Sequence, residues 1–244
     1  MKNTSDYFIK KISLEKRKFK KRNQNIKLEF FRHFKGKKNC QQNSKSMDEL
    51  IQKIYSVLLP IIDNEKLILI LAVGGYGRNQ LAPFSDIDLL FGYDQTLTKD
   101  KVKKIVEFFL YPLWDLGIKV GYAVRNFKEI ISFSKRDAII KTTMLDARLI
   151  VGSEKVFNHI MNKYTEEFSR KSIIFLKEKI NERKENIKKI GFDYFKNEPN
   201  IKESEGSIRD INLIFWCLKI LRISNQKKIK NFDSFLTTLE KKKI

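Results

Sequence analysis

The chain has 244 residues, 42% of them apolar, with 50 Lys plus Arg against 29 Asp plus Glu and a formal charge of +21. That is enough to bury a core in one large domain or two small ones, and no apolar run reaches the length of a bilayer-spanning helix. Two cysteines, Cys40 and Cys217, make no disulfide framework, and no apolar stretch with a cleavage site follows the Lys-rich N-terminus; a reducing cytoplasmic location without a membrane partner is expected.

A charge of +21 suits a nucleic-acid binder, but it is unevenly spread. Residues 1–46 hold 15 Lys/Arg against 3 Asp/Glu, residues 47–176 hold 18 against 16, and residues 177–244 hold 17 against 10. The middle of the chain is nearly neutral, so the excess describes the ends. Residues 1–46 read as a basic N-terminal extension with a short apolar patch at Phe30, Phe31 and Phe34. A solvated helical lead-in and a basic arm for RNA or anionic surfaces both fit that composition.

From Met47 the pattern turns amphipathic, with Leu50, Ile51, Ile54, Val57 and Leu58 at helical spacing before a turn at Asp63-Asn64. Leu67 to Val73 is a continuous branched run that predicts a strand buried on both faces. Gly74-Gly75-Tyr76-Gly77 interrupts it, and a second strand is expected from Asp86 to Phe91. An amphipathic helix is predicted over residues 101–116, ended by Gly117, and a third strand over residues 118–124. Helices are expected over residues 137–150, 156–168, 173–190 and 207–223, with Trp114, Trp216 and Cys217 in the core. The pattern gives an α+β fold: a small mixed-sheet domain over residues 47–165, then a helical domain over residues 166–244 that reads as incomplete.

The chemistry is concentrated in Val73-Gly-Gly-Tyr-Gly-Arg-Asn-Gln-Leu-Ala-Pro-Phe-Ser-Asp-Ile-Asp88. On a strand, residues i and i+2 share a face, so Asp86 and Asp88 project together. Two carboxylates so placed call for a cation between them, and Mg²⁺ suits a site completed by substrate phosphate oxygens. Gly74 and Gly75 remove side chains where a strand ends, letting backbone N–H groups approach a triphosphate. Arg78 adds a charge-assisted phosphate contact and Ser85 a hydroxyl. The expected reaction is a metal-assisted nucleotidyl transfer: Asp86 and Asp88 hold the metal, and pyrophosphate leaves.

These residues resemble the nucleotidyltransferase superfamily, whose catalytic domain is polymerase-beta-like, and within it the protein-PII uridylyltransferase family. Three blocks carry the likeness: Gly74 to Leu90; Leu113-Trp-Asp-Leu-Gly-Ile-Lys-Val-Gly-Tyr-Ala-Val-Arg125 continued by Asp137, Thr143-Met-Leu-Asp-Ala-Arg148 and Gly152; and Glu198-Pro-Asn-Ile-Lys-Glu-Ser-Glu-Gly-Ser-Ile-Arg-Asp210 leading to Trp216. The resemblance implies transfer of UMP from UTP to a tyrosine of a PII-type nitrogen-signalling protein.

The sequence also departs from the family pattern. The family continues into HD hydrolase and ACT domains, whereas this chain has two histidines, His33 and His159, each expected to be a surface or packing residue rather than a metal ligand. The family's Gly-Pro-Gly-Gly is replaced by Ser204-Glu205-Gly206-Ser207. The superfamily's third carboxylate is missing from residues 118–124; Asp137 and Asp146 are open candidates, with a helix cap as the other reading of Asp137 and an ion pair as that of Asp146. Glu203, Arg209 and Asp210 read either as a turn closing over nucleotide or as a capped helix with a salt bridge. Arg125, just past the third strand, is a candidate to face the cleft. Another acceptor, a non-catalytic regulatory module, and a nucleic-acid binder acting through the basic ends remain alternative functions.

Overall fold

The branched run Ile68–Ala72 forms β1, all five residues buried, at the heart of a four-stranded sheet. The computed structural model describes residues 2–62, 68–133, 138–190, 198 and 200–224. The expected Asp63-Asn64 turn and Asp137 lie outside the described residues. In chain order the elements are α1 (Lys2–His33), α2 (Gly36–Ile62), β1, α3 (Gly74–Gly77), β2 (Ile87–Tyr93), α4 (Lys99–Trp114), β3 (Val120–Asn126), α5 (Phe127–Phe133), α6 (Ala138–Leu145), β4 (Arg148–Val151), α7 (Glu154–Ile190) and α8 (Ile208–Ser224). The sheet order is β3-β2-β1-β4, with β1 antiparallel to β2 and β4, and β2 parallel to β3. The α+β class expected from the sequence is what the chain adopts.

The described residues group into two compact units. The first holds the described residues of 1–133 and 146–161, and the second holds those of 134–145 and 162–224. In the first, alternation along β2 sends Ile87, Leu89 and Phe91 into a core with Leu50, Ile51 and Ile54 of α2 and Val102, Ile105, Val106 and Phe109 of α4. Phe91 and Phe109 meet edge to face at 5.5 Å. The same alternation leaves Asp88 exposed.

Helix α4 starts at Thr98, whose side chain accepts from the Lys101 N–H. Its buried stripe ends at Leu113, which turns Trp114 outward. Trp114 is 42% exposed and packs edge-on against Tyr111, three residues back on the same solvent face. The expectation of a core Trp114 is corrected: its neighbours supplied the helical periodicity, and it stands about 100° off their stripe.

The helix expected through Ile150 stops at Leu145. Arg148–Val151 is instead β4, a branched run that finds partners on β1, with Ala72 opposite Arg148 and Leu71 opposite Leu149. The two helices expected over residues 156–190 are the single helix α7. The N-terminal segment is folded against the rest of the first unit. Phe19 is buried in its core, Arg22 pairs with Glu49 at 2.5 Å, and Lys16 reaches Asp115 at 3.1 Å. Charge alone had set this segment apart, but two apolar-faced helices in a row form a hairpin that buries what either would expose alone.

In the second unit, Tyr164, Phe168 and Phe175 stack along α7, and the Tyr164 hydroxyl donates to the Lys141 carbonyl at 2.8 Å. The altered glycine block still forms a tight turn. Gly206 keeps the left-handed conformation (φ +75°), and its N–H donates to Asp210 at 2.6 Å. Arg183 donates to both Asp210 oxygens and to the carbonyls of Glu203 and Ser204. Glu203 and Arg209 form an ion pair beside it, the capped-helix arrangement. Trp216 and Cys217 are half-buried, and His33 and His159 are exposed.

Candidate functional site

Where β1 ends, the chain turns through Val73 into the one-turn helix α3, and the Val73 N–H donates to the Asp88 carbonyl at 3.1 Å. This clamps the glycine turn onto the start of β2. Gly74 has φ +58°, a conformation costly for other residues, and a Cβ there would stand 3.1 Å from Asp88 Oδ2. On the other side of Asp88, β3 places Gly121 in register, and a Cβ there would stand 2.6 Å from Oδ1. Two glycines therefore cradle one carboxylate. Gly121 was not anticipated, although a glycine inside a strand is a recognised mark of close approach.

Asp86 sits just before β2 and Asp88 is its second residue; both are exposed. Ser85 is exposed too, and its hydroxyl donates to the Asp86 carbonyl at 3.2 Å. The first amides of α3, from Gly74, Gly75 and Tyr76, precede any intrahelical acceptor, and Val73 supplies no side-chain cap. Gly75 lies beside Arg78, whose Nη2 would be 3.8 Å from an added Cβ.

Arg78 is engaged. Its Nη1 is paired with Asp146, whose side chain is 1% exposed, and its Nε donates to Gln80 at 3.2 Å. Directly alongside, a Cβ on Gly77 would overlap the Asp146 carbonyl oxygen. Of the two candidates for a third carboxylate, Asp146 is thus the buried ion partner of the arginine in the glycine turn. Among the described residues no group of three or more His, Cys, Asp or Glu is placed to hold a metal ion.

A second brace had not been read from the sequence. The Tyr76 hydroxyl donates to Asp48 of α2 at 2.6 Å, and Arg148 of β4 donates to both Asp48 oxygens at 2.8 and 3.1 Å. The Arg148 guanidinium also lies over the Tyr76 ring, 5.5 Å from its centre. Burial and the Asp48 carboxylate push the Tyr76 phenol well above its ordinary range, so it stays a neutral donor. Tyr76 is 1% exposed. The glycine turn is pinned from α2, β2 and β4 together. Arg125, at the far end of β3, is exposed, and its Nη1 donates to the Val124 carbonyl.

Comparison with known proteins adds family context to this geometry. A sequence model described as GlnD PII-uridylyltransferase matches residues 174–243. Proteins named bifunctional uridylyltransferase/uridylyl-removing enzyme are similar over most of the chain. The one from Phenylobacterium zucineum is 42% identical over 199 residues, covering 77% of this chain and 21% of that protein. The one from Azospirillum brasilense is 42% identical over 153 residues, covering 62% and 16%. The one from Caulobacter vibrioides is 40% identical over 184 residues, covering 71% and 19%. The chain spans about a fifth of the length of these curated relatives. No described helix is long and apolar enough to cross a membrane.

Proposed function

We infer the function from two premises: the chain belongs to the GlnD PII-uridylyltransferase family, and its glycine turn abuts the Ser-Asp-Ile-Asp run. We propose that it is a nucleotidyltransferase that moves UMP from UTP to a tyrosine of a PII-type protein and releases pyrophosphate. The observation that carries the reading is the exposed Asp88 in a cradle bounded by Gly74 and Gly121.

Asp86 and Asp88 are hard oxygen donors at an exposed strand end, which fits Mg²⁺. When bound, the ion would neutralise developing charge on the phosphates. The chain's own residues do the rest. The amides of Gly74 and Gly75 face the triphosphate without an intervening side chain. Arg78, held by Asp146, fixes the turn and lends positive charge beside it. Ser85 positions the approach to Asp86. The acceptor phenol oxygen forms a bond to the α-phosphorus, the bond to the β-phosphate bridging oxygen breaks, and the phenol proton is lost to solvent or to a carboxylate. Cytoplasmic nitrogen signalling is the setting that the resemblance to this family implies. The choice of UTP rests on that resemblance too, since no described residue selects a base.

The test is Mg²⁺-dependent labelling of a purified PII-type protein by this chain from each of the four nucleoside triphosphates. Transfer from UTP is expected, and Asp86→Asn or Asp88→Asn should lower it on the order of 10²-fold or more while the melting temperature holds. A chain that neither labels the protein nor binds nucleotide refutes the reading.

A further inference from the structure

Beside the catalytic run lies a groove of about 780 Å³, walled by α1 and α2 on one side and by residues 81–87 and 116–119 on the other. We propose that this groove takes the acceptor: an extended, acidic loop of a protein partner that carries the tyrosine to be modified. The inference rests on the nucleotidyl-transfer reading above and assigns that site its second substrate surface.

Position comes first. Ser85 and Asp86 line the groove, and Asp88, two residues further on, sits against the glycine turn, so the groove ends beside the proposed nucleotide site. A loop lying in the groove delivers its side chains to Asp86.

Its chemistry selects the occupant. Lys20, Lys27 and Lys119 line the groove, and Asp86, at the catalytic end, is the one carboxylate among the residues that form it. Lys20, Gln24, Lys27 and Phe31 follow one another at helical spacing along α1, so one continuous face of that helix is turned to the groove. An unbalanced cationic wall of this kind favours an anionic partner and speeds its encounter. Aromatic rings supply the remaining surface. Phe31 is 56% exposed and Phe84 is 96% exposed, and Phe84 has φ +63°, a strained conformation for a residue with a bulky side chain. Exposed aromatic anchors rimmed by charge are the usual centre of a protein interface. Phe30 and Phe31 of the N-terminal apolar patch, unexplained by the proposed site residues, find their use here.

The walls are built in advance. Asn43 donates to the Leu81 carbonyl at 3.3 Å, Ser46 to Asn23 at 2.9 Å, and Lys16 to Asp115 at 3.1 Å. The first tie fixes α2 to the facing loop, the second fixes α1 to α2, and the third fixes α1 to the end of α4; a preformed groove spares the cost of ordering it on binding.

The experiment measures binding of a purified PII-type protein to the full chain, together with steady-state transfer. Lys20→Glu with Lys27→Glu should weaken acceptor binding ten-fold or more and raise the acceptor KM by a similar factor. Affinity for UTP should stay within two-fold. Phe31→Ala should weaken acceptor binding several-fold without changing net charge. The control, Arg17→Glu with Lys21→Glu, makes the same change in net charge on exposed positions outside the groove and should have little effect. Equal losses in the two double variants, no acceptor binding by the wild type, or a groove variant that loses affinity for a single-stranded RNA oligonucleotide instead would each overturn the proposal. UTP binding indifferent to Asp88→Asn would sink the nucleotidyl-transfer reading, whereas acceptor binding indifferent to Lys20 and Lys27 would sink the groove alone.

Discussion

Asp88 on β2 and Gly121 on β3 are partners across the parallel ladder, and a Cβ at position 121 would stand 2.6 Å from Asp88 Oδ1. The carboxylate keeps its place because its neighbour has no side chain. Gly121→Ala should therefore push the Asp88 carboxylate aside, and a displacement of about 1 Å costs on the order of 10²-fold in turnover. Stability should not fall with it, since alanine in a strand is favoured over glycine by about 0.5–1 kcal/mol where space allows. A large fall in kcat at an unchanged melting temperature is the expected pair of measurements. Unchanged kcat would show that Gly121 does not set the carboxylate's position.

Arg78 and Asp146 give a second contrast. A buried carboxylate paired with arginine is costly to break, about 3–5 kcal/mol when one partner is removed. Asp146→Asn should lower the melting temperature by many degrees, and denaturant titration should give a loss in that range. A metal ligand would behave in the opposite way, with activity gone and stability held. Finding that second pattern would make Asp146 the third carboxylate rather than a structural partner of Arg78.

The Tyr76–Asp48–Arg148 brace is expected to be structural. Tyr76→Phe removes one hydrogen bond at an otherwise buried ring and leaves Asp48 paired with Arg148. The expected loss is about 1–2 kcal/mol. Because the phenol is held neutral well above its ordinary range, the difference between wild type and variant should be flat from pH 6 to 9. A difference that grows toward alkaline pH would show the phenol titrating there.

What the sequence made legible and what it hid divide along a physical line. Local signals sufficed for β1, β2, α4 and the Gly-Gly to Asp-x-Asp run, because branched runs, helical stripes and glycine breaks act within a few residues. Pairings that join distant segments did not announce themselves. Arg148 meets Asp48 across a hundred positions, and nothing near either residue names the other. β4 was read as helix because four residues carry too little period to separate strand from helix, and its strand state is fixed by β1. The basic charge of residues 1–46 masked a hairpin whose buried contacts, such as Phe19, are few but decisive. The cradle around Asp88 was half legible: Gly74 stood out in a motif, while Gly121 had its meaning only opposite Asp88.

The turn before α8 should fail in acid, and its sign follows from its pairs. Arg183's hydrogen bond holds Asp210 below the usual carboxylate range, aided by the Gly206 and Ser207 amides, and Arg209 does the same for Glu203. A carboxylate depressed in the folded state stabilises it above the unfolded pKa, about 3.9 for Asp and 4.3 for Glu, and loses that contribution as pH falls from there through the folded value. Between pH 8 and 5 these pairs should add no pH dependence. From about pH 4 downward, the protection of the α8 amides relative to their intrinsic exchange rate should fall as Asp210 protonates and releases Arg183. Asp210→Asn should exchange faster at neutral pH and show a shallower acid dependence. If it retained the wild type's acid dependence, the acid-sensitive group would be another residue, and Arg183 would owe its order to the Glu203 and Ser204 carbonyls instead.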